Sequence, residues 1–91
     1  MTVYGGRPEK GKTAVEVIAR FKADGTVTPI RVIWPDGRRY DLRVTNRQTK
    51  FNRLMRTPYT EFDVEVVLPN GVKRPTKIWY DGRQWWVEVK G

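Results

Sequence analysis

The clearest chemical motif in the chain is the segment GRPEKGKT at residues 6–13, which matches the G-x-x-x-x-G-K-[ST] pattern of phosphate-binding loops. Such a loop requires a helix directly after it, because the N–H groups at the helix N-terminus face the phosphates. The residues that follow include Val15, Val17 and Ile18, whose β-branched side chains favour a strand. We therefore interpret the match as coincidental and residues 1–13 as a loose polar leader.

A row of carboxylates, Glu61, Asp63 and Glu65, is the other group that suggests catalysis. Alternating carboxylates on one strand more often pair with basic side chains of the neighbouring strand. Three basic residues are available for this pairing: Lys73, Arg74 and Lys77. The chain has no histidine and no cysteine, which excludes disulfides, the usual Cys/His zinc sites and activation of a nucleophile by histidine. We expect no enzyme activity, no cofactor and no metal.

Positive charge is the strongest functional signal in the sequence. The 91 residues include 18 Lys and Arg against 10 Asp and Glu, a formal net charge of +8, which attracts nucleic acid or acidic protein surfaces. No acidic residue lies between Asp41 and Glu61. The candidate binding residues are five in this stretch and three near hairpin turns: Arg43, Arg47, Lys50, Arg53 and Arg56, with Arg38, Arg39 and Arg83. The alternative interpretation is a solvated face with no partner.

The aromatic residues divide into core and surface candidates. Trp34, Tyr40 and Trp85 occupy apolar positions of alternating segments, and we expect them in the core. Tyr59 and Trp86 fall where a side chain can be exposed, and an exposed ring beside arginine is suited to stacking on a single-stranded base. The alternative for Trp86 is that it caps the sheet edge or packs under the leader.

Alternation of apolar and polar residues, broken by turn signals, predicts the elements that position these groups. Apolar residues alternate over 15–21, 30–34, 40–44, 62–68 and 85–89, and the turn signals are DG at 24–25, PDG at 35–37, NG at 70–71 and DG at 81–82. This pattern predicts one mostly-β domain at 14–91, a small antiparallel barrel or curled sheet of about six strands, of SH3-like or OB-like size. Which of Ile78 and Trp79 faces inward stays open, because a bulge near Pro75 reverses the answer.

Residues 46–58 interrupt the alternation. Phe51, Leu54 and Met55 have the i, i+3, i+4 spacing of a narrow helical stripe, with Asn46 as a possible cap and Pro58 as a stop. We therefore expect a short helix between the two halves of the sheet, with a loop or turn as the alternative.

The two halves are similar to each other and to other proteins. IWPDGR at 33–38 aligns with IWYDGR at 78–83, which indicates a pseudo-repeat of 14–46 and 59–90. The alternative is that two unrelated hairpins use the same favourable turn residues. The segments PIRVIWPDGRRY at 29–40 and GRQWWVE at 82–88 resemble those of small bacterial β-proteins of unassigned function. The resemblance implies a compact β fold and no activity.

These observations predict a non-enzymatic basic binding module, with nucleic acid as the partner. The alternative is a module for protein interaction or assembly that binds an acidic protein or a second copy through a strand edge or the basic stretch. No apolar run is long enough to span a membrane, so we expect no membrane association and a cytoplasmic location. The oligomeric state and any preference for DNA or RNA stay open.

Overall fold

The chain forms a closed barrel of six antiparallel strands in simple sequential order, with β1 pairing to β6. The computed structural model describes residues 11–52 and 56–88. The strands are β1 (Lys12–Phe21), β2 (Val27–Ile33), β3 (Arg39–Asn52), β4 (Thr57–Val67), β5 (Lys73–Tyr80) and β6 (Trp85–Glu88). The predicted β class and six-stranded barrel are confirmed.

Three of the hairpin turns share one geometry that their sequences specify. In the turn at 34–38, the N–H of Gly37 donates to the carbonyl of Trp34, and the N–H of Trp34 donates to the carbonyl of Arg38, both at 2.8 Å. Gly37 has a φ of 91°, a left-handed value at which glycine avoids the penalty of a Cβ. The turns at 22–26 and 68–72 repeat this hydrogen-bond pattern, whereas the turn at 81–84 does not.

The barrel core is formed by inward side chains of β4, β5 and β6. Its buried cluster comprises Phe62, Val64, Ile78, Trp85 and Val87. The pairing of β4 with β5 runs from Thr60–Tyr80 to Val67–Lys73 without a bulge, so Ile78 faces the interior and Trp79 lies on the opposite face of the sheet, where it is also buried. Sequence alone left this orientation open.

The helix predicted within residues 46–58 is wrong for the part of this segment that the structure describes. β3 continues to Asn52, and β4 begins at Thr57. Residues 53–55, which include two members of the proposed apolar stripe, lie outside the described residues. Main-chain pairing between the strands, from Asn46–Asp63 to Asn52–Thr57, prevails over a helical spacing of only three apolar residues.

A bulge at Thr45 interrupts the apolar–polar alternation by which this segment could have been predicted as a strand. The register shifts between Val44 and Asn46, so inward positions pass from even to odd residue numbers. The Thr45 hydroxyl donates a 3.1 Å hydrogen bond to the carbonyl of Asp63. Beyond the bulge, Arg47 and Phe51 therefore share the face that continues the barrel interior, and Lys50 belongs to the opposite face.

The segment predicted as a leader is described only from Gly11 onward. Residues 1–10, and with them most of the phosphate-loop match, lie outside the described residues. Lys12 and Thr13 begin β1, so the match is followed by a strand and lacks the helix that phosphate binding requires.

The pseudo-repeat of 14–46 and 59–90, and its origin by duplication, stay predictions. Over residues 11–52 and 56–88, no helix has the length and apolarity needed to cross a membrane.

Candidate nucleic-acid interface

The barrel has two ends with different architecture. The turns at 34–38 and 68–72 lie at one end, which we call the turn end. The turns at 22–26 and 81–84 and the connection from β3 to β4 lie at the other end, which we call the arm end. This topology divides the predicted binding residues. Arg38 and Arg39 lie at the turn end, whereas Arg47, Lys50, Arg56 and Arg83 lie at the arm end.

The β3–β4 hairpin projects past the rest of the barrel. The last pair that joins β4 to β5 is Thr60–Tyr80, whereas β3 and β4 pair for three further positions, from Lys50–Tyr59 to Asn52–Thr57. At about 3.3 Å per residue, these positions extend roughly 10 Å. We call residues 50–52 and 56–59 the arm. The predicted Arg53 is one of residues 53–55, which lie outside the described residues.

Exposed side chains of the arm combine charge with an aromatic ring. Lys50 retains 41% of its side-chain exposure, and Phe51, on the opposite face, is 60% exposed. Arg56 is exposed and has a φ of 54°. Among the described residues it is the only non-glycine residue with a positive φ, a conformation that disfavours a long side chain. Arg56 therefore occupies a position at which the backbone of a glycine would be less strained.

Arg47 has a structural contact that limits its freedom as a ligand-binding residue. β2 and β3 pair only from Arg31–Asp41 to Ile33–Arg39, and the two strands then separate toward the arm end. Arg47 bridges the gap: its Nη1 donates to the Val27 carbonyl at 2.8 Å, and its Nη2 donates to the Thr28 hydroxyl at 3.0 Å. Its guanidinium also lies 5.3 Å from the centre of the Phe62 ring.

Two of the three carboxylates in the predicted row, Glu61 and Asp63, form ion pairs with Lys77 of the neighbouring strand. Glu61 accepts hydrogen bonds from Trp79 Nε1 at 2.9 Å and from Lys77 Nζ at 3.3 Å. Lys50 Nζ is 3.3 Å from the same carboxyl group, and Lys77 also lies 2.8 Å from Asp63.

These contacts shift the pKa values of the network. Partial burial raises the pKa of Glu61, but the donors from Trp79, Lys77 and Lys50 outweigh it, and the net pKa is lowered. The hydrogen bond from Lys77 likewise lowers the pKa of Asp63. Within the described residues, no cluster of three or more His, Cys, Asp or Glu could hold a metal ion.

A cleft of about 490 Å³ opens at the arm end, beside the base of the arm. The residues that line it include Phe21, Tyr59, Tyr80, Phe62 and Arg47. Tyr59, a predicted stacking residue, is half-buried there. Phe21 is 64% exposed.

Sequence analysis did not select Phe21, Phe51 or Tyr80. Phe51 could have been found by following the strand alternation of Arg47, Thr49 and Phe51 beyond the bulge. Phe21 contacts Tyr80 because the barrel closes, and no local sequence pattern predicts this contact.

Three other predicted residues lie away from this cleft or are covered. Trp86 is only 6% exposed, so its ring is not offered to a base, and we leave it out of the interface. Arg43 is exposed on the outer face of β3, opposite Glu65 in register. Arg38 is held by Asp36, with its Nε 2.7 Å from Asp36 Oδ2.

Comparison with known proteins gives no relative from which a function could be transferred. No family model, no curated protein and no solved structure matches the chain significantly.

Proposed function

We propose that this protein is a non-enzymatic nucleic-acid-binding module whose arm contacts phosphate groups. The observation that supports this most is the arm itself: a projecting β-hairpin that lies within a stretch of five basic residues and no acidic one. Lysine and arginine on an exposed ribbon can approach the phosphates of a strand without a clash from the barrel. The proposal implies a location where nucleic acid is present, and the cytoplasm fits it.

The left-handed Arg56 adds a second argument. Strained backbone positions are enriched at functional sites, and Arg56 is both charged and exposed. Its guanidinium can donate two hydrogen bonds to one phosphate. Lys50, although paired with Glu61, stays partly exposed in the arm.

Charge removal at the two barrel ends tests the proposal. The arm variant is Lys50→Gln with Arg56→Asn, since asparagine tolerates the left-handed conformation. The matched control is Arg39→Gln with Arg74→Gln at the turn end, which removes the same net charge from exposed positions. Binding of a fluorescein-labelled oligonucleotide is followed by anisotropy at about 50 and 200 mM salt.

The arm variant is expected to lose affinity and to lower the slope of log K against log salt. Each lost phosphate contact lowers that slope by about 0.7–0.9, so both together lower it by about 1.4–1.8. The slope of the control is expected to stay within about 0.5 of the wild-type slope, a smaller change than the loss of one phosphate contact would cause. Equal losses in both variants would mean that only net charge matters, and an absence of binding at low salt would end the proposal.

A second candidate function, protein interaction, is favoured by the open edge of β3. Beyond Asp41, no described strand pairs with the β2-facing edge of β3, so main-chain donors and acceptors there are available to an added strand. The added strand could come from an acidic protein or a second copy. Light scattering over a range of protein concentrations distinguishes self-association from a monomer. A monomer would exclude a second copy as the partner and leave an acidic protein.

A further inference from the structure

Four aromatic rings form a continuous column from the barrel core to the cleft at the arm end. Phe62, which is fully buried, stacks on Trp85 with ring centres 5.8 Å apart and planes inclined by 27°. Trp85 stacks on Tyr80 at 4.2 Å and 22°. Tyr80 meets Phe21 edge-on at 6.3 Å and 69°. Exposure rises along this column, which therefore ends in a solvent-facing ring with rigid support behind it.

The cleft around the end of this column suits a flat aromatic ligand. Besides Phe21 and Tyr80, Pro58 and Tyr59 of β4 line it, and the Arg47 guanidinium lies over the Phe62 ring. Asp81 is the one acidic residue among those that line it, and its carboxylate accepts the N–H groups of Arg83 and Gln84, both at 2.9 Å. The cleft thus combines aromatic faces with a cation, the surroundings that favour a nucleobase next to its phosphate.

We infer that the cleft takes an unpaired nucleobase, so that the protein prefers single-stranded nucleic acid. This inference rests on the proposed function, since the arm would hold the phosphates of the same strand. A base in a duplex is already stacked and paired, and it cannot enter the cleft without being extruded. Phe51 shares the cleft-facing side of β3 and offers a second ring further along the arm.

The experiment compares three labelled probes of equal length: a homothymidine strand, an abasic strand that keeps the phosphates but has no bases, and a duplex. A homouridine strand tests whether the sugar matters. The variants are Phe21→Ala and Phe51→Ala, and the control is Ile18→Ala, which removes an apolar side chain that is 46% exposed on the outer face of β1. Phe51 lies on the arm and outside the core cluster, so its removal leaves the barrel core intact.

Wild-type protein is expected to bind the thymidine strand more tightly than the abasic strand, by roughly 5- to 100-fold for one stacked base. Phe21→Ala is expected to lose most of that advantage and Phe51→Ala a smaller part of it, and both are expected to retain wild-type affinity for the abasic strand and the duplex. Ile18→Ala is expected to bind all three probes as wild type does. Similar affinity for the thymidine and uridine strands supports recognition of the base face alone.

The outcomes separate this inference from the proposed function. Equal, salt-dependent binding of the thymidine strand, the abasic strand and the duplex would overturn base stacking and leave phosphate binding by the arm in place. Unchanged affinity of both phenylalanine variants would have the same meaning. If none of the probes binds at low salt, both proposals fail.

Discussion

The guanidinium of Arg47 and the main-chain carbonyl of Val27 are joined by a 2.8 Å hydrogen bond across the gap where β2 and β3 no longer pair. Main-chain pairing between β2 and β3 ends at Arg31–Asp41. The hydrogen bonds from Arg47 to Val27 and Thr28 replace part of that pairing. A residue selected from the sequence as a candidate for phosphate binding therefore also closes the barrel. Its substitution should be judged by stability before it is judged by affinity.

Substitution of Arg47 by methionine is expected to lower the free energy of unfolding by about 1–2 kcal/mol. Methionine keeps most of the apolar stem but removes both donors, which leaves the Val27 carbonyl dependent on water. Urea denaturation followed by tryptophan fluorescence measures the change. Arg43→Met is the control on the outer face of the same strand, and it is expected to stay within about 0.5 kcal/mol of wild type. Equal effects of the two substitutions would contradict a bridging role for Arg47.

Replacement of Arg56 by glycine is expected to have opposite effects on stability and on binding. Relief of the left-handed strain should raise the free energy of unfolding by about 1 kcal/mol. Loss of the guanidinium should weaken binding of a single-stranded oligonucleotide and lower its salt dependence. Arg56→Lys keeps both the charge and the strain, and it should resemble wild type in both measurements. A glycine variant with no gain in stability would show that the backbone at this position is not strained.

The ion pairs of β4 predict how stability depends on acid pH. The pKa values of Glu61 and Asp63 are lowered in the folded chain, so these carboxylates bind fewer protons when folded than when unfolded. Their contribution to stability is full above their unfolded pKa values, 4.5 for Glu61 and 3.8 for Asp63, and is lost as the pH falls through the lower folded values. Lys77 has the opposite sign: its raised pKa stabilises the fold below its usual value of 10.5, and that contribution is lost as the pH rises through the folded value.

Glu61→Gln tests this account. The variant should be less stable than wild type at neutral pH, and its stability should fall less steeply as the pH drops below 4.5. Thermal unfolding followed by circular dichroism over a series of acid pH values gives both quantities. Glu16→Gln, an exposed glutamate on β1, is the control and should follow the wild-type curve. Parallel curves for wild type and Glu61→Gln would show that Glu61 does not titrate abnormally.

The strands and turns could be predicted from the sequence because their signals are local. Alternation and the Asp-Gly and Asn-Gly pairs specify hairpins over a few residues, and the structure has them at 24–25, 35–37 and 70–71. The arm could not be predicted in this way. The bulge at Thr45 reverses the alternation, and the spacing of Phe51, Leu54 and Met55 predicts a helix although Phe51 lies in β3.

The candidate site was predicted only in part, for a different reason. The basic residues of the arm and Tyr59 were selected because charge and aromatic character are visible in the sequence. Their separation from Arg38 and Arg39 by the length of the barrel depends on β3 running as one strand from Arg39 to Asn52, where the sequence predicted a helix. The contact of Phe21 with Tyr80 joins β1 to β5, residues 59 positions apart in the sequence, since 80 − 21 = 59. Such a contact follows from tertiary structure alone.

Chemical-shift mapping tests the location of the interface most directly. A ¹⁵N-labelled sample is titrated with an unlabelled homothymidine strand at low salt, and each backbone amide is followed. The account predicts perturbations concentrated at the arm end, in residues 20–28, 47–52, 56–62 and 80–84, with the turns at 34–38 and 68–72 unchanged. Perturbations centred on the turn end, or spread evenly over the barrel, would contradict it.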